Sequence, residues 1–348
     1  MLKAEWRKYE LKFLETAITS RSQMEVKETF FVRVWDDSAP EISGFGECAL
    51  FRGLSAEDNA NYERLLSETC RHPEIMPEVS SIRFGLETAL ADLRNGGKQI
   101  ISDTPFTHGE RNISINGLIW MGDKSTMQRR IEEKLAKGFR CIKLKIGGLN
   151  FEEELELLHF IRSSFSPEAL ELRLDANGAF SHGNALERLK RLSDFSIHSI
   201  EQPIRQGQAE QMAQICESSP IPIALDEELI GFRSDKDKRL MLDSIRPQFI
   251  ILKPALCGGF REAEKWIAEA EKRAIGWWAT SALESNVGLN AIAQWVSTYT
   301  LSMPQGLGTG ALYANNVTSP LRQEKDYMRF EPTARFENLA GIFQQSAK

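Results

Sequence analysis

Beyond residue 112 the chain alternates between short apolar segments and amphipathic helical patterns, and this alternation restricts the fold more than any other feature. Strands that alternate with helices form parallel sheets whose crossover helices cover the outside. No G-x-G-x-x-G motif follows the first segment, which disfavours a doubly wound dinucleotide-binding sheet. Eight strand candidates within about 200 residues are typical of a barrel. They span residues 113–118, 141–146, 171–175, 199–201, 221–226, 249–253, 277–281 and 305–308.

The part of the chain before this alternation has a different pattern. Apolar side chains at every second position predict antiparallel strands, and two helical patterns follow them. We therefore expect an α/β protein in which a (β/α)7–8 TIM-type barrel carries an α+β capping domain. The expected boundaries are 1–111 for the capping domain, 112–312 for the barrel and 313–348 for a tail that returns to the capping domain.

Ionisable residues stand at the carboxyl ends of consecutive strand candidates, where barrel enzymes carry their active sites. Lys143 and Lys145 alternate with apolar neighbours, so both point to the same face of their strand. A single charge at a strand end is as often an incidental solvated residue as a functional one, but ionisable residues at five consecutive strand ends predict one active site. The next four residues of the series follow at intervals of 26, 25 and 27 residues: Asp175, Glu201, Asp226 and Lys253.

Three members of this series are carboxylates on adjacent strands, with no histidine or cysteine among them. Such hard oxygen ligands favour Mg²⁺, which makes Asp175, Glu201 and Asp226 the candidate metal ligands. A lysine near another cation gives up its proton more easily, so Lys145, beside Lys143, is the candidate general base. The matching reaction removes a proton next to a substrate carboxylate, while the metal stabilises the enediolate that forms.

Composition argues against several other classes of protein. The net charge is −6, and no basic stretch is interleaved with aromatic residues, so nucleic acid is not expected as a partner. No apolar run is long enough to cross a membrane, and charges near the N-terminus disfavour a signal peptide. Five cysteines without a CxxC pair fit a reducing compartment. We expect a cytoplasmic enzyme that acts on a small-molecule carboxylate; a homo-oligomer is compatible with the sequence but unsupported by it.

Taken together, the strand-end motifs resemble the enolase superfamily, and in particular its muconate-lactonizing subgroup. They are Lys-x-Lys at Lys143 and Lys145, Asp-x-Asn at Asp175 and Asn177, Glu-Gln-Pro at 201–203, Asp-Glu at 226–227 and Lys-Pro at 253–254. This resemblance extends over nearly the whole chain and implies a Mg²⁺-dependent barrel with a capping domain. Within the subgroup, residues 44–55, 280–288 and 305–316 are most similar to the o-succinylbenzoate synthase family, hydro-lyases of menaquinone biosynthesis.

The resemblance also implies a role for individual residues. Lys145 would remove the α-proton and deliver it to the departing hydroxyl on the same face, a syn dehydration. Lys253 would act as a cation against the opposite face. The substrate's succinyl carboxylate would be held by Ser281, the backbone at Leu283 and, as a looser match, Gly308. Arg52 would meet a substrate carboxylate or be an ordinary arginine of a surface loop.

Other residues of the resemblance would act indirectly. Lys143, Asn177 and Glu227 would orient the metal ligands and the base. Residues 19–24 and 50–55 would form a mobile cap that excludes water. Glu284 could serve as a third acid, but it is expected to orient the loop in which it lies.

Three alternatives remain open at this point. An N-succinylamino acid racemase would use the same two lysines for a 1,1-proton transfer, and another enzyme of the muconate-lactonizing type would fit the same motifs. A Schiff-base aldolase would use Lys253 as its nucleophile, although the three carboxylates argue against it. A non-catalytic barrel would require the strand-end charges to be incidental. The dipeptide epimerases of the subgroup are disfavoured, because residues 306–308 lack the Asp-x-Asp that would hold a substrate ammonium.

Overall fold

The computed structural model describes residues 1–18 and 23–344. It begins with an antiparallel three-stranded sheet followed by two helices: β1 (Leu2–Ile18), β2 (Gln23–Asp36), β3 (Ala39–Cys48), α1 (Tyr62–Arg71) and α2 (Ser80–Arg94). Helix α2 packs very closely on β3, because a Cβ added to Gly46 would lie 1.9 Å from the backbone oxygen of Gly85. The predicted order of antiparallel strands and then helices is confirmed.

The centre of the molecule is a parallel sheet of seven strands that follow one another in chain order. They are β5 (Gly117–Ile119), β6 (Cys141–Lys145), β7 (Glu171–Asp175), β8 (Ser199–Glu201), β9 (Ile223–Leu225), β10 (Phe249–Leu252) and β11 (Gly276–Ala279). Single bridges from Gln305 to Ile115 and from Gly306 to Thr280 join the two edges of this sheet. The sheet therefore closes into a barrel, and the predicted fold class is confirmed.

Helices connect the barrel strands and cover their outer faces. They are α3 (Lys124–Ala136), α4 (Phe151–Ser164), α5 (His182–Ser193), α6 (Ala209–Ser218), α7 (Asp235–Ile245), α8 (Pro254–Cys257), α9 (Gly259–Glu271) and α10 (Asn286–Val296). Apolar strand residues such as Ile142 and Leu144 pack in one buried cluster with helix residues such as Leu158 and Ile161. The alternate strand residues, Lys143 and Lys145, are buried too, and they lie on the inner face.

Two of the predicted strands are wrong in extent, whereas the other six differ from the observed strands by at most two residues at either end. Residues 113–118 were expected to form one strand, but β4 (Ile113–Ser114) leaves the barrel and pairs antiparallel with the tail strand β13 (Tyr327–Phe330), so that only β5 joins the barrel. Residues 305–308 contribute only the bridges at Gln305 and Gly306. A glycine-rich segment has few side chains to pack, which explains why this closure is so short.

The tail contacts both halves of the molecule. Strands β12 (Leu321–Glu324) and β13 extend β4 into a small sheet, and α11 (Leu339–Gln344) lies against the capping strands. Phe343 and Leu339 of this helix share a buried cluster with Phe31 of β2. The boundaries at residues 111 and 312 stay a prediction. No helix in the described ranges is long and apolar enough to cross a membrane.

Candidate active site

The register of the parallel strands brings the strand-end residues to one level. Lys145 on β6 is the Cα partner of Asp175 on β7, and Asp175 is in turn the partner of Glu201 on β8. Side chains of residues paired in this way on the inner face of a barrel point to the same region of its mouth. The backbone alone therefore groups a lysine and two carboxylates.

Direct hydrogen bonds connect these side chains. Lys145 Nζ donates to Asp175 Oδ2 at 2.8 Å and to Asn177 Oδ1 at 2.6 Å. Lys143 Nζ donates to Glu201 Oε2 at 2.8 Å and to Asp175 Oδ2 at 3.2 Å. Asp175 thus accepts hydrogen bonds from both lysines of β6 and holds the two amines close together.

A second ion pair lies across the barrel mouth. Lys253, directly after β10, donates to Asp226 Oδ2, directly after β9. Since β6 and β10 are four strands apart in the sheet, Lys145 and Lys253 approach the barrel axis from opposite sides. This is the arrangement expected for amines on the two faces of one substrate.

Burial and charge act in opposite directions on these groups. Burial by itself would raise the pKa of Asp175, but Lys145, Lys143 and Lys253 outweigh it and hold that pKa well below its usual range. Burial, together with the charge of Asp175, raises the pKa of Glu201 to about 8. Burial would lower the pKa values of Lys143 and Lys253, yet the neighbouring carboxylates raise both above their usual value. The ammonium forms of Lys143 and Lys253 are therefore strongly favoured in this state.

A cavity of about 250 Å³ opens between the strand ends and the loop after β3. Ten of the twelve predicted site residues line it: Arg52, Lys143, Lys145, Asp175, Asn177, Glu227, Lys253, Ser281, Leu283 and Gly308. The other two, Glu201 and Asp226, are buried and contact the cavity through Lys143 and Lys253. The structure thus brings the whole predicted set together. Of the cap loop predicted at 50–55, residues 51–54 line the cavity. Of the one predicted at 19–24, residues 19–22 lie outside the described part, and residues 23–24 begin strand β2.

Asn177 and Glu227 link the ends of β7 and β9. The backbone N–H of Asn177 donates to Asp175 Oδ1 at 3.1 Å, and its side-chain amide donates to Glu227 Oε1 at 3.1 Å. Asn177 also accepts from Lys145, so its amide restricts both the carboxylate and the amine. Contacts of this kind fix the orientation of the carboxylate and the amine that they bind.

The chemistry of the three carboxylates fits a hard divalent cation, although their side chains are turned towards lysines. Glu201 Oε1 is buried and has no hydrogen-bond partner among the described residues, so one oxygen of the set has an unused lone pair. The donors are all oxygens on adjacent strands, as Mg²⁺ prefers. As the side chains are placed, no group of three or more His, Cys, Asp or Glu in residues 1–18 and 23–344 is arranged to hold a metal ion. A cation would have to replace lysine contacts such as that between Lys143 and Glu201.

The predicted substrate contacts lie on the far wall and at the mouth of the cavity. Ser281 Oγ donates to Glu284 Oε2 at 2.5 Å and accepts the Leu283 N–H at 3.0 Å. Glu284 therefore orients the loop after β11, as expected. Arg52 lies at the mouth, where it pairs with Glu28 and with Asp58 Oδ1 at 2.8 Å.

Several cavity residues were missed in the sequence. Asn116 is 2% exposed, and its Oδ1 has no hydrogen-bond partner within the described chain. Thr309 Oγ1 is also buried and has no hydrogen-bond partner among the described residues. Trp120 places its ring centroid 5.8 Å from Lys145 Nζ. Strand alternation would have placed Asn116 on the inner face, but the search for charged strand ends passed over an amide.

Comparison with known proteins gives three matches that bear on this site. The family model described as "Enolase C-terminal domain-like" matches residues 126–333, more than half of the chain. An o-succinylbenzoate synthase of Desulfotalea psychrophila is 48% identical over 355 aligned residues, which cover 91% of this chain and 95% of that protein. An N-succinylamino acid racemase of Thermus thermophilus is 37% identical over 161 residues, which cover 46% of this chain and 41% of the relative.

A solved structure agrees with these sequence matches. The crystal structure of MenC from Desulfotalea psychrophila LSv54 superposes with a TM-score of 0.81 at 44% identity, and the match covers 94% of this chain and 99% of that one. Since the match includes nearly all of both chains, the similarity extends to the capping sheet and the tail as well as the barrel.

Proposed function

The chain belongs to the enolase C-terminal domain-like family, and from that premise we propose that it acts as an o-succinylbenzoate synthase, a hydro-lyase of the enolase superfamily. It would convert 2-succinyl-6-hydroxy-2,4-cyclohexadiene-1-carboxylate into o-succinylbenzoate and water, a step of menaquinone biosynthesis. The observation that carries the proposal is the position of Lys145 and Lys253 on opposite sides of one cavity with Asp175 in its wall. The extensive identity to a synthase supports the same reaction.

Lys145 would perform both proton transfers of the dehydration. Its amine removes the proton next to the ring carboxylate, and the electron pair of the broken C–H bond spreads into that carboxylate as an enediolate. The same nitrogen then protonates the hydroxyl on the same face, so that the C–O bond breaks, water leaves and the ring becomes aromatic. The contacts of Lys145 with Asp175 and Asn177 support this role, because they hold the nitrogen at the cavity wall.

Lys253 would not transfer a proton in the dehydration. Burial opposes its ammonium form, but the neighbouring carboxylates outweigh burial and favour it, so Lys253 supplies a fixed positive charge against the second face of the substrate. Asp226 holds this ammonium in place. A preorganised charge at this position stabilises the negative charge that develops as Lys145 removes the proton.

Asp175, Glu201 and Asp226 would hold Mg²⁺. When bound, the ion would supply positive charge to the substrate carboxylate on which negative charge develops. The buried, unpartnered Oε1 of Glu201 and the all-oxygen donor set support this assignment. Lys143, Asn177 and Glu227 would keep the ligands oriented.

The polar groups of the cavity wall support a substrate with a second carboxylate. Ser281, the backbone of Leu283, Gly308 and Arg52 are the proposed contacts to it, and Asn116 adds a buried amide in the same cavity. Gly306, Leu307 and Gly308 provide no acidic side chain for an ammonium group. An anionic or acylated substrate therefore suits the site better than a free dipeptide.

N-succinylamino acid racemisation is a second candidate activity. The two opposed lysines suit a 1,1-proton transfer, and a racemase is among the relatives. In that reaction Lys253 would have to exchange protons with the substrate. The ammonium that the ion pair with Asp226 favours could serve as the acid of that reaction, so the geometry accommodates both activities. The much longer match to a synthase than to a racemase supports the dehydration.

A direct assay separates the two activities. The purified protein is incubated with Mg²⁺ and the cyclohexadiene carboxylate, and the absorbance of aromatic o-succinylbenzoate is followed; a parallel reaction contains an N-succinylamino acid in D₂O. We expect rapid aromatisation, with slow or no deuterium incorporation in the parallel reaction. Fast deuterium incorporation without aromatisation would favour the racemase.

Location in the cytoplasm is part of the proposal and is supported by five free cysteines.

A further inference from the structure

A buried cluster of charges joins the capping sheet to the loop after β11. Lys27 of β2 and Glu47 of β3 are 5% and 0% exposed, and Glu284 of the loop is also 0% exposed. Charged side chains are rarely buried this completely unless they are paired. The cluster lies beside Ser281 and Leu283, the proposed contacts to the second substrate carboxylate.

Glu47 is fully occupied by hydrogen bonds. It accepts from the Thr29 hydroxyl at 2.7 Å, from the backbone N–H groups of Ser285 and Gly288 at 2.9 Å each, and from the Ser285 hydroxyl at 2.5 Å. A carboxylate at the start of α10 satisfies free N–H groups there and interacts favourably with the helix dipole. Glu47 therefore attaches this loop firmly to the capping sheet.

Glu284 and Lys27, by contrast, each have an unused hydrogen-bonding group. Within the described chain, Glu284 Oε1 has no hydrogen-bond partner, and neither has Lys27 Nζ. Both residues lie around Glu47, because Thr29, two positions from Lys27 on β2, and Ser285, next to Glu284, donate to the same oxygen of Glu47. Burial lowers the pKa of Lys27 while Glu47 and Glu284 oppose that change, and burial raises the pKa of Glu284 while Lys27 opposes it. Lys27 is thus a buried amine close to a carboxylate whose second oxygen is unused.

The hydrogen bonds of Ser281 create a conflict with an incoming carboxylate. Its hydroxyl proton is donated to Glu284, and its oxygen already accepts the Leu283 N–H. A substrate carboxylate can only accept hydrogen bonds, so neither donor is available to it while Glu284 holds the hydroxyl. For Ser281 to bind a carboxylate, Glu284 must release it and take another partner.

We propose that Glu284 is a positioning residue with two partners: Ser281 in the free protein, and the ammonium of Lys27 when a ligand carboxylate binds at Ser281. The transfer of Glu284 to Lys27 releases the Ser281 hydroxyl to the ligand. The capping sheet, through Lys27, thereby controls affinity for the second carboxylate. This inference rests on the proposed function only in the identity of the natural ligand.

The test measures binding rather than turnover. Dissociation constants for o-succinylbenzoate and for o-butyrylbenzoate, which lacks the second carboxylate, are determined by calorimetry for the wild type and for Lys27→Met. We expect Lys27→Met to weaken o-succinylbenzoate binding about tenfold, because Glu284 loses its alternative partner. Binding of o-butyrylbenzoate should change less than twofold. Lys12→Met, on an exposed lysine of the same sheet, is the matched control and should alter neither.

A second variant separates this role from simple structural damage. In Lys27→Met/Glu284→Gln the new side-chain amide can donate to the Ser281 oxygen and leave the Ser281 hydroxyl to the ligand, so affinity for o-succinylbenzoate should return to within about threefold of the wild type. Equal weakening of both ligands in Lys27→Met, or no recovery in a folded double variant, would overturn the proposal. If the wild type forms no o-succinylbenzoate from the cyclohexadiene carboxylate, the proposed function fails instead, whatever the binding data show.

Discussion

Lys145 Nζ lies 2.8 Å from Asp175 Oδ2, and the two residues are Cα partners on neighbouring parallel strands. The proposed base and a proposed metal ligand are therefore held together by backbone register as well as by charge. A substitution at one of them has a direct effect on the other, because each is buried and each is the other's ionic partner.

Replacing Lys145 tests the assignment of the base. We expect Lys145→Ala to lower the rate of dehydration by at least about a thousandfold, since general acid–base catalysis is worth 10²–10⁴-fold and one nitrogen serves two proton transfers. Initial rates of aromatic product formation measure it. Lys137→Ala, an exposed lysine after α3, should keep the wild-type rate. Aromatisation at an unchanged rate in folded Lys145→Ala would remove Lys145 as the base.

Removal of divalent metal tests the proposed carboxylate ligands. Chelation should abolish dehydration, and Mg²⁺ should restore it and raise the melting temperature, because a ligand that binds only the folded state stabilises it. At a Mg²⁺ concentration 100 times its dissociation constant, this linkage is worth about 2.7 kcal/mol. In Asp226→Asn the increase in melting temperature should be lost. Full activity in chelator-treated protein would contradict the metal assignment.

Asp92 is expected to make stability depend on pH. It is buried and accepts from the backbone N–H groups of Phe45 and Gln99, and burial raises its pKa to about 7. Between its unfolded value of 3.8 and about 7 the folded state binds the proton more tightly, so this contribution to stability falls as pH rises through that range. Asp92→Asn should flatten the dependence in denaturant titrations from pH 4.5 to 7.5.

The control for this pH experiment is a carboxylate at the surface. Asp194→Asn changes an exposed residue after α5 and should leave the dependence of stability on pH as in the wild type. An equally steep fall in stability for wild type and Asp92→Asn would show that another group is responsible.

The close contact of α2 with β3 predicts a large effect of a single methyl group. Gly46→Ala would place its Cβ 1.9 Å from the Gly85 oxygen, so the helix or strand must shift. We expect a loss of about 3 kcal/mol in the free energy of unfolding, as for other overpacked sites. Gly183→Ala, in α5 with no atom within 4 Å of the new Cβ, should be neutral or stabilising by up to about 1 kcal/mol. Similar stability of the two variants would contradict this packing account.

How much could be predicted differed between the elements. The bounds of strands such as β7 and β8 were predicted to the residue. In a barrel, a short apolar run followed by an acidic residue indicates a strand that ends at that residue. The strand predicted at 113–118 was wrong, because its first residues find partners in β13, more than 200 residues away in the chain. Local periodicity contains no information on a partner that distant.

In the candidate site, too, some features could be predicted from the sequence and others could not. The periodic spacing along the chain was enough to predict five ionisable residues at strand ends: Lys145, Asp175, Glu201, Asp226 and Lys253. Parallel pairing of those strands then brings the five side chains to the same end of the barrel. Only the tertiary structure decided which lysine pairs with which carboxylate, and that Asn116 and Thr309 add unpartnered polar atoms to the cavity. It alone also placed Lys27 of the capping sheet beside Glu284 of the barrel. The physical reason is that strand register follows from local sequence pattern, whereas burial and charge pairing depend on every segment that packs around a group.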